Sequence, residues 1–281
     1  MTNESENAKQ SISPKLAFFT AVQFLTRVPV PGAISGSIVQ TQLALRAAVV
    51  YFPLVGVLIG VLTTVTYCVF SYFWSPWIAA ILAIAAEAFL TGAFHEDALA
   101  DATDALGGGW TREQVLKILK DSRHGTYGVL ALVIGVSLRI ALIANLGWPM
   151  AWLAIPFSSG IGRWSILILM HQLEPISDRH TTARDMGARP SARMILISAV
   201  GPVAAFGFAL GCSCALEDNA SFTYLLTDAS VRFLIAVSLS LLMTWYYARL
   251  VFRRVGGVTG DFLGANCYLV QLVSLLAMQP N

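Results

Sequence analysis

An all-α, multi-spanning membrane architecture is what the sequence predicts, on three observations. The chain is 56% hydrophobic and only 12% charged, against about 25% charged residues in ordinary soluble domains. Apolar runs recur along it, each near the ~20 residues that cross a hydrocarbon core of roughly 30 Å. Its cations gather in alternate connecting segments, the positive-inside pattern of polytopic helical proteins.

Taken in order, Met1 to Ser13 is polar, carries Glu4 and Glu6, and has no cationic lead into an apolar core. Residues 1–15 therefore read as a disordered tail without a cleavable signal peptide, and residues 16–281 as one integral membrane catalytic domain. Leu16 to Val30 is interrupted by Gln23 and Arg27 and stopped by Pro29 and Pro31, which suits an interfacial or re-entrant segment. About seven transmembrane helices follow: Leu45 to Tyr72, Trp77 to Phe94, Gly128 to Leu146, Pro149 to Met170, Met194 to Leu216, Val231 to Val251 and Leu263 to Met278.

If Leu45 to Tyr72 enters from the cytoplasm, the inner segments hold Lys9, Lys15, Arg27, Arg46, Arg112, Lys117, Lys120, Arg123, Arg179, Arg184, Arg189, Arg193, Arg249, Arg253 and Arg254. The outer segments hold only Arg232, at a helix edge. This asymmetry predicts that the polar loops His95 to Tyr127 and His171 to Arg193 are cytoplasmic. A net charge of +2 is too small to argue for nucleic acid. The four cysteines, Cys68, Cys212, Cys214 and Cys267, form no CxxC pair and suit small buried hydrophobes better than a zinc site or disulfide framework.

The stretch FHEDALADATDALGGGW, Phe94 to Trp110, carries the chemistry. On a helix continued from Trp77, Asp97, Asp101 and Asp104 stand at i, i+4 and i+7, within an arc of about 60°. Like charges at this spacing repel, and near a helix C-terminus they also oppose the macrodipole, so a bound cation would relieve both penalties. Oxygen ligands of this kind suit Mg²⁺. A solvated helix end is the plain alternative. Glu96 lies off the stripe, and His95 suits a general base, a phosphate partner or a structural cap.

Gly107, Gly108 and Gly109 free the backbone for positive φ and for close approach of an anion. Thr111 then reads as the N-cap of an amphipathic helix. That helix leads into KDSRHGTYG, where Lys120, Arg123, Gly125 and Gly128 suit a phosphate cradle, or Lys and Arg simply answer the acidic helix. In RRVGGVTGDFLGAN, Arg253 and Arg254 precede three glycines and Asp261, a further metal ligand or the N-cap of the last span. Glu87, Arg139 and Arg163 fall inside proposed spans, where ionisable groups are paired or functional.

These residues resemble the cobalamin synthase family of adenosylcobinamide-GDP ribazoletransferases, in the blocks QFLTRVPVP (Gln23 to Pro31), HEDALADATDALGGGWTRE (His95 to Glu113), KDSRHGTYG (Lys120 to Gly128), GRW (Gly162 to Trp164) and GGVTGDFLGA (Gly256 to Ala265). The resemblance implies a multi-pass protein of the bacterial inner membrane, working with Mg²⁺ in the last assembly step of cobalamin biosynthesis. It would transfer the adenosylcobinamide phosphate group from adenosylcobinamide-GDP to α-ribazole or its 5′-phosphate and release GMP. It makes Asp97, Asp101 and Asp104 metal ligands, Asp261 a further one, and Arg123 with its neighbouring glycines the holder of the pyrophosphate; His95 or an aspartate would take the proton. The family often has Gly where this chain has Ala98 and Ala105, which bears on close approach of substrate, and often an acid where Cys267 and Tyr268 stand. A CDP-alcohol phosphotransferase and a cation transporter are the competing readings; the former lacks its Asp-Gly, Ala-Arg order here. Oligomeric state is left open, a homo-oligomer included.

Overall fold

A computed structural model describes residues 12–30, 38–121, 123–176, 189–214 and 219–280. Arg179, Arg184, Lys9 and most of the expected N-terminal tail lie outside them. The fold is all-helical. In chain order come α1 (Pro14–Leu25), α2 (Ile38–Ala48), a short 3₁₀ turn (Val49–Tyr51), α3 (Phe52–Phe73), α4 (Pro76–Thr91), α5 (Phe94–Gly108), α6 (Arg112–Ile118), α7 (Thr126–Ala144), α8 (Trp148–Gln172), α9 (Ala192–Cys214), α10 (Asn219–Val255) and α11 (Gly260–Ala277).

Among the described residues six helical stretches are long and apolar enough to cross a membrane: Thr41–Phe73, Thr126–Ala144, Trp148–Gln172, Ala192–Cys214, Leu225–Val255 and Gly260–Ala277. They match six of the seven sequence-predicted spans. Two expectations change. The run from Trp77 to Phe94 is not one straight span continuing into the acidic block: α4 has 16 residues, about 24 Å of helix, and α5 leaves it at 88°. Gly92 (φ 73°) and Ala93 (φ 55°) make this corner, both in the left-handed region. For alanine that conformation costs roughly 1–2 kcal/mol, so the corner is held by its surroundings. One such hold is the Arg27 N–H, which donates to the Leu90 carbonyl at 2.7 Å. The second change is at the start, where Ser13 caps α1 and Pro14 and Lys15 are helical rather than part of a tail. With 12 residues α1 is too short to span, in keeping with the interfacial or re-entrant reading.

The bundle closes through small residues, as lipid-embedded helices must, since packing rather than water drives their association. Helices α3 and α8 form its most extensive pairing. A Cβ added at Gly56 would come 2.6 Å from the Ser159 carbonyl oxygen, and one at Gly60 the same distance from the Pro156 backbone. Leucine, valine and phenylalanine from α3 and α10 instead face outward, among them Leu58, Leu62, Leu234 and Leu242.

Candidate active site

At one end of the bundle the last turns of α5, α8 and α10 meet α6 and the start of α11. Val258 and Glu174–Ile176 pair through backbone hydrogen bonds, Val258 N–H to Glu174 at 2.9 Å and Ile176 N–H to Val258 at 3.2 Å. The Arg112 side chain donates to the Val255 carbonyl at 3.0 Å. Arg254 donates to the carbonyls of Leu106 and Gly109 at the C-terminus of α5, where cations suit the macrodipole. Thus Arg254, expected to bind substrate phosphate, clips α10 to α5. Arg253, one residue earlier, opens instead onto a cleft shared with Gln172, Trp245 and Arg249. The structure does not bring it to the acidic stripe.

The stripe itself is as expected, Asp97, Asp101 and Asp104 on one side of α5, but its polarity is not. Because the helix restarts at Phe94, Glu96 and Asp97 occupy its first turn, where the macrodipole favours them. Burial deepens along the stripe: Asp97 is exposed, Asp101 intermediate, and Asp104 buried. Asp104 is anchored by backbone. The Gly125 N–H donates to its Oδ2 at 2.7 Å and the Gly128 N–H to its Oδ1 at 2.8 Å. This explains the two glycines of KDSRHGTYG, since a Cβ at Gly125 would sit 2.6 Å from the Asp104 carboxylate and one at Gly128 2.9 Å from the Ala100 carbonyl. The amides expected to cradle phosphate are therefore already engaged by an acid of the same site.

Asp101 is in the opposite condition. Burial raises its pKa, and the carboxylates of Asp97, Asp261 and Asp104 push in the same direction, to about 6, with His124 the basic group opposing them. The His124 Nδ1 lies 3.7 Å from Asp101. His124 was legible in KDSRHGTYG but not singled out. His95, the expected base, is 2% exposed and, at helical geometry, about 160° round α5 from Asp97; among the described residues its buried Nε2 has no hydrogen-bond partner. It faces the bundle interior.

A cavity of about 520 Å³ opens beside the stripe, lined by Asp104, Gly108, Asp121, Arg123, His124 and Tyr127 among others. Arg123 is 86% exposed there and already forms a fork with Asp121, at 2.7 Å and 3.0 Å. Lys120 is exposed nearby in sequence. The triple glycine works by small size rather than positive φ: Gly107 and Gly108 are helical, and Gly109 ends α5 at φ −92°. A Cβ on Gly107 would strike the Tyr127 ring at 2.8 Å, and one on Gly109 the Val115 backbone at 2.7 Å. Thr111 caps α6 as expected, in a full capping box with Gln114. The N-cap of α11 is Thr259, so Asp261 is a first-turn acid rather than the cap. The alanine departures do not touch the cavity. Ala98 packs against Gly264 of α11, where a Cβ would come 2.5 Å from the Ala98 methyl, and Ala105 is fully buried.

A second polar group lies deeper, between α3, α4, α5, α7 and α8. Arg139 donates to both Glu87 oxygens at 2.8 Å and reaches Glu96 at 3.4 Å. Thr63 donates to Glu87 at 2.7 Å, and Arg163 stands 4.0 Å from it while bonding Ser159. Glu87 and Arg163 do approach each other, but the principal partner is Arg139.

Fold and site together define a polytopic helical membrane protein that gathers carboxylates, an imidazole and a guanidinium around a cavity at one end of its bundle. The family model for cobalamin-5-phosphate synthase matches residues 17–279, and the chain belongs to that family. It is 36% identical over 264 residues to the adenosylcobinamide-GDP ribazoletransferase of Leptothrix cholodnii, covering 92% of this chain and 93% of that protein. The enzyme of the same name from Shewanella pealeana is 33% identical over 266 residues, covering 91% and 94%. No solved structure matches the chain.

Proposed function

We propose that the acidic face of α5, with Asp261, is the reaction centre at which this chain acts as an adenosylcobinamide-GDP ribazoletransferase. The transfer moves the adenosylcobinamide phosphate from the GDP derivative to α-ribazole or its 5′-phosphate and releases GMP. Full-length similarity to enzymes of that name carries the activity. The observation that carries the site is Asp101, half-buried within the influence of three carboxylates and, among the described residues, opposed by the His124 imidazole 3.7 Å away.

Such crowding fits a divalent cation. Among the described residues no three His, Cys, Asp or Glu side chains close into a ready-made metal cage, and Mg²⁺ does not need one, since it keeps several waters and binds through one or two carboxylates plus substrate phosphates. Asp101, with Asp97 or Asp261 beside it, would hold it, and Asp104, fixed by two amides, would orient the stripe. When bound it would neutralise charge developing on the transferred phosphate and on the GMP leaving group.

The residues supply the rest. Arg123 exchanges its exposed Asp121 partner for a phosphate at little cost, because exposed pairs are weak. Exposed Lys120 adds a second positive charge. His124 or a stripe carboxylate accepts the proton of the attacking hydroxyl, and the half-exposed Tyr127 lines the cavity beside them. The cationic excess of the connecting segments supports a cytoplasmic position for this end. Purified protein supplied with adenosylcobinamide-GDP and each acceptor should release GMP, and release it only with Mg²⁺ present. GMP release undiminished after exhaustive chelation would overturn the metal-site reading while leaving the transferase activity standing.

A further inference from the structure

Arg249 and Arg253 stand one turn apart on the same side of α10, within the last two turns of the candidate span Leu225–Val255. Both are exposed. They border a cleft of about 400 Å³ whose other walls include Gln172, Leu173, Trp245 and Phe252. Arg249 lies over the Trp245 ring at 4.3 Å, and Trp245 and Phe252 are 45% and 59% exposed.

Two guanidiniums sit at the rim of an apolar cleft at the end of a membrane span. Among the described residues neither has a carboxylate within ion-pair distance, and Glu174, next to Leu173, is occupied by Arg189 at 3.2 Å. The adjacent Arg254 turns the other way, onto the carbonyls of α5. The pair is thus separate from the acidic stripe, and the apolar walls are poorly suited to a free nucleotide.

We propose that this cleft binds an anionic phospholipid, with Arg249 and Arg253 on the headgroup phosphate and an acyl chain laid along Trp245, Phe252 and Leu173. Charge complementarity selects the occupant. Arginine forms paired hydrogen bonds to phosphate oxygens while its stem lies along apolar surface, and an indole at a span end suits the membrane interface. A zwitterionic lipid offers the same phosphate with a cation attached, so the pair should discriminate against it. Each interfacial cation is worth roughly a fivefold preference for anionic lipid, so the two together give on the order of twentyfold.

The test is lipid retention by the full chain, purified in detergent and exposed to equimolar phosphatidylglycerol and phosphatidylcholine of matched acyl chains, read by native mass spectrometry. The parent should keep phosphatidylglycerol preferentially. Arg249→Gln/Arg253→Gln should lose about twentyfold of that preference, Arg249→Lys/Arg253→Lys should keep most of it, and Lys117→Gln, which removes an exposed cation on α6, should leave it unchanged. Equal retention of the two lipids by the parent would overturn the proposal, as would an equal loss in Lys117→Gln, which would mean general surface charge. Displacement of the retained lipid by millimolar inorganic phosphate or GDP would likewise overturn it, marking a site for a free phosphate ligand.

Discussion

Two groups of carboxylates in this molecule are treated in opposite ways. Glu87 and Glu96, deep between helices, are answered by Arg139, with Arg163, Thr63 and Ser159 completing the network. At the end of the bundle Asp101 feels the like charges of Asp97, Asp261 and Asp104, with the His124 imidazole 3.7 Å away opposing them. An acid buried without a counter-charge is costly, so the inner carboxylates carry their own counter-charges within the fold. Among the described residues, Asp101 meets three carboxylates and only the His124 imidazole of opposite sign, which is the condition that the proposed cation site requires. Arg139 holds Glu87 on α4 and Glu96 on α5, one on each side of the Gly92–Ala93 corner, and so braces the bend from which the stripe runs.

The largest effect should come from breaking the inner group. Glu87→Ala leaves Arg139 and Arg163 buried beside an absent charge, which costs roughly 3–5 kcal/mol, and should appear as a large drop in thermal unfolding temperature in detergent and in recovered folded protein. If Glu87→Ala melted like the parent, the inner network would have no structural role. Next comes Gly128→Ala, whose methyl would press on the Ala100 carbonyl and on Asp104. It should cost about 1–3 kcal/mol and most of the activity, with Gly135→Ala on the same helix as a comparison away from the stripe. Unchanged GMP release in Gly128→Ala would show that the Asp104 anchor does not matter.

The smallest effect is a pH dependence. Asp101 is raised to about 6 from an ordinary value near 4, so without metal the folded protein binds a proton there that the unfolded chain has released. This group's contribution therefore favours the folded state at pH 5 relative to pH 7, and ionisation above pH 6 opposes it. Mg²⁺ should compete with that proton, and the concentration for half-maximal activity should rise as pH falls below about 6. A flat Mg²⁺ requirement from pH 5 to pH 7.5 would mean that Asp101 does not meet the metal.

Much of this was legible in the sequence because lipid leaves few options: a run of apolar residues must be a helix. The stripe was legible because i, i+4, i+7 spacing depends on helical geometry alone. The corner was not, since neither Gly92 nor Ala93 breaks a helix by itself and the bend depends on contacts such as that of Arg27 with Leu90. The partners of Asp104 were hidden for a related reason. Glycines near an acidic block read equally well as a phosphate cradle, and only tertiary structure shows that Gly125 and Gly128 hold an aspartate. His95 stands out in the sequence because it adjoins the acids, and His124 does not, yet along a helix immediate neighbours point apart.

The central claim, that the outer carboxylates form an incomplete cation site, is tested most directly by Asp101→Asn. The substitution keeps the size and one acceptor oxygen and removes the charge. GMP release and thermal stability should be measured for both proteins across a Mg²⁺ titration. The variant should fold as well as the parent or slightly better without metal, gain less stability from Mg²⁺, and turn over orders of magnitude more slowly at limiting Mg²⁺. Full activity of Asp101→Asn at low Mg²⁺ would contradict the claim.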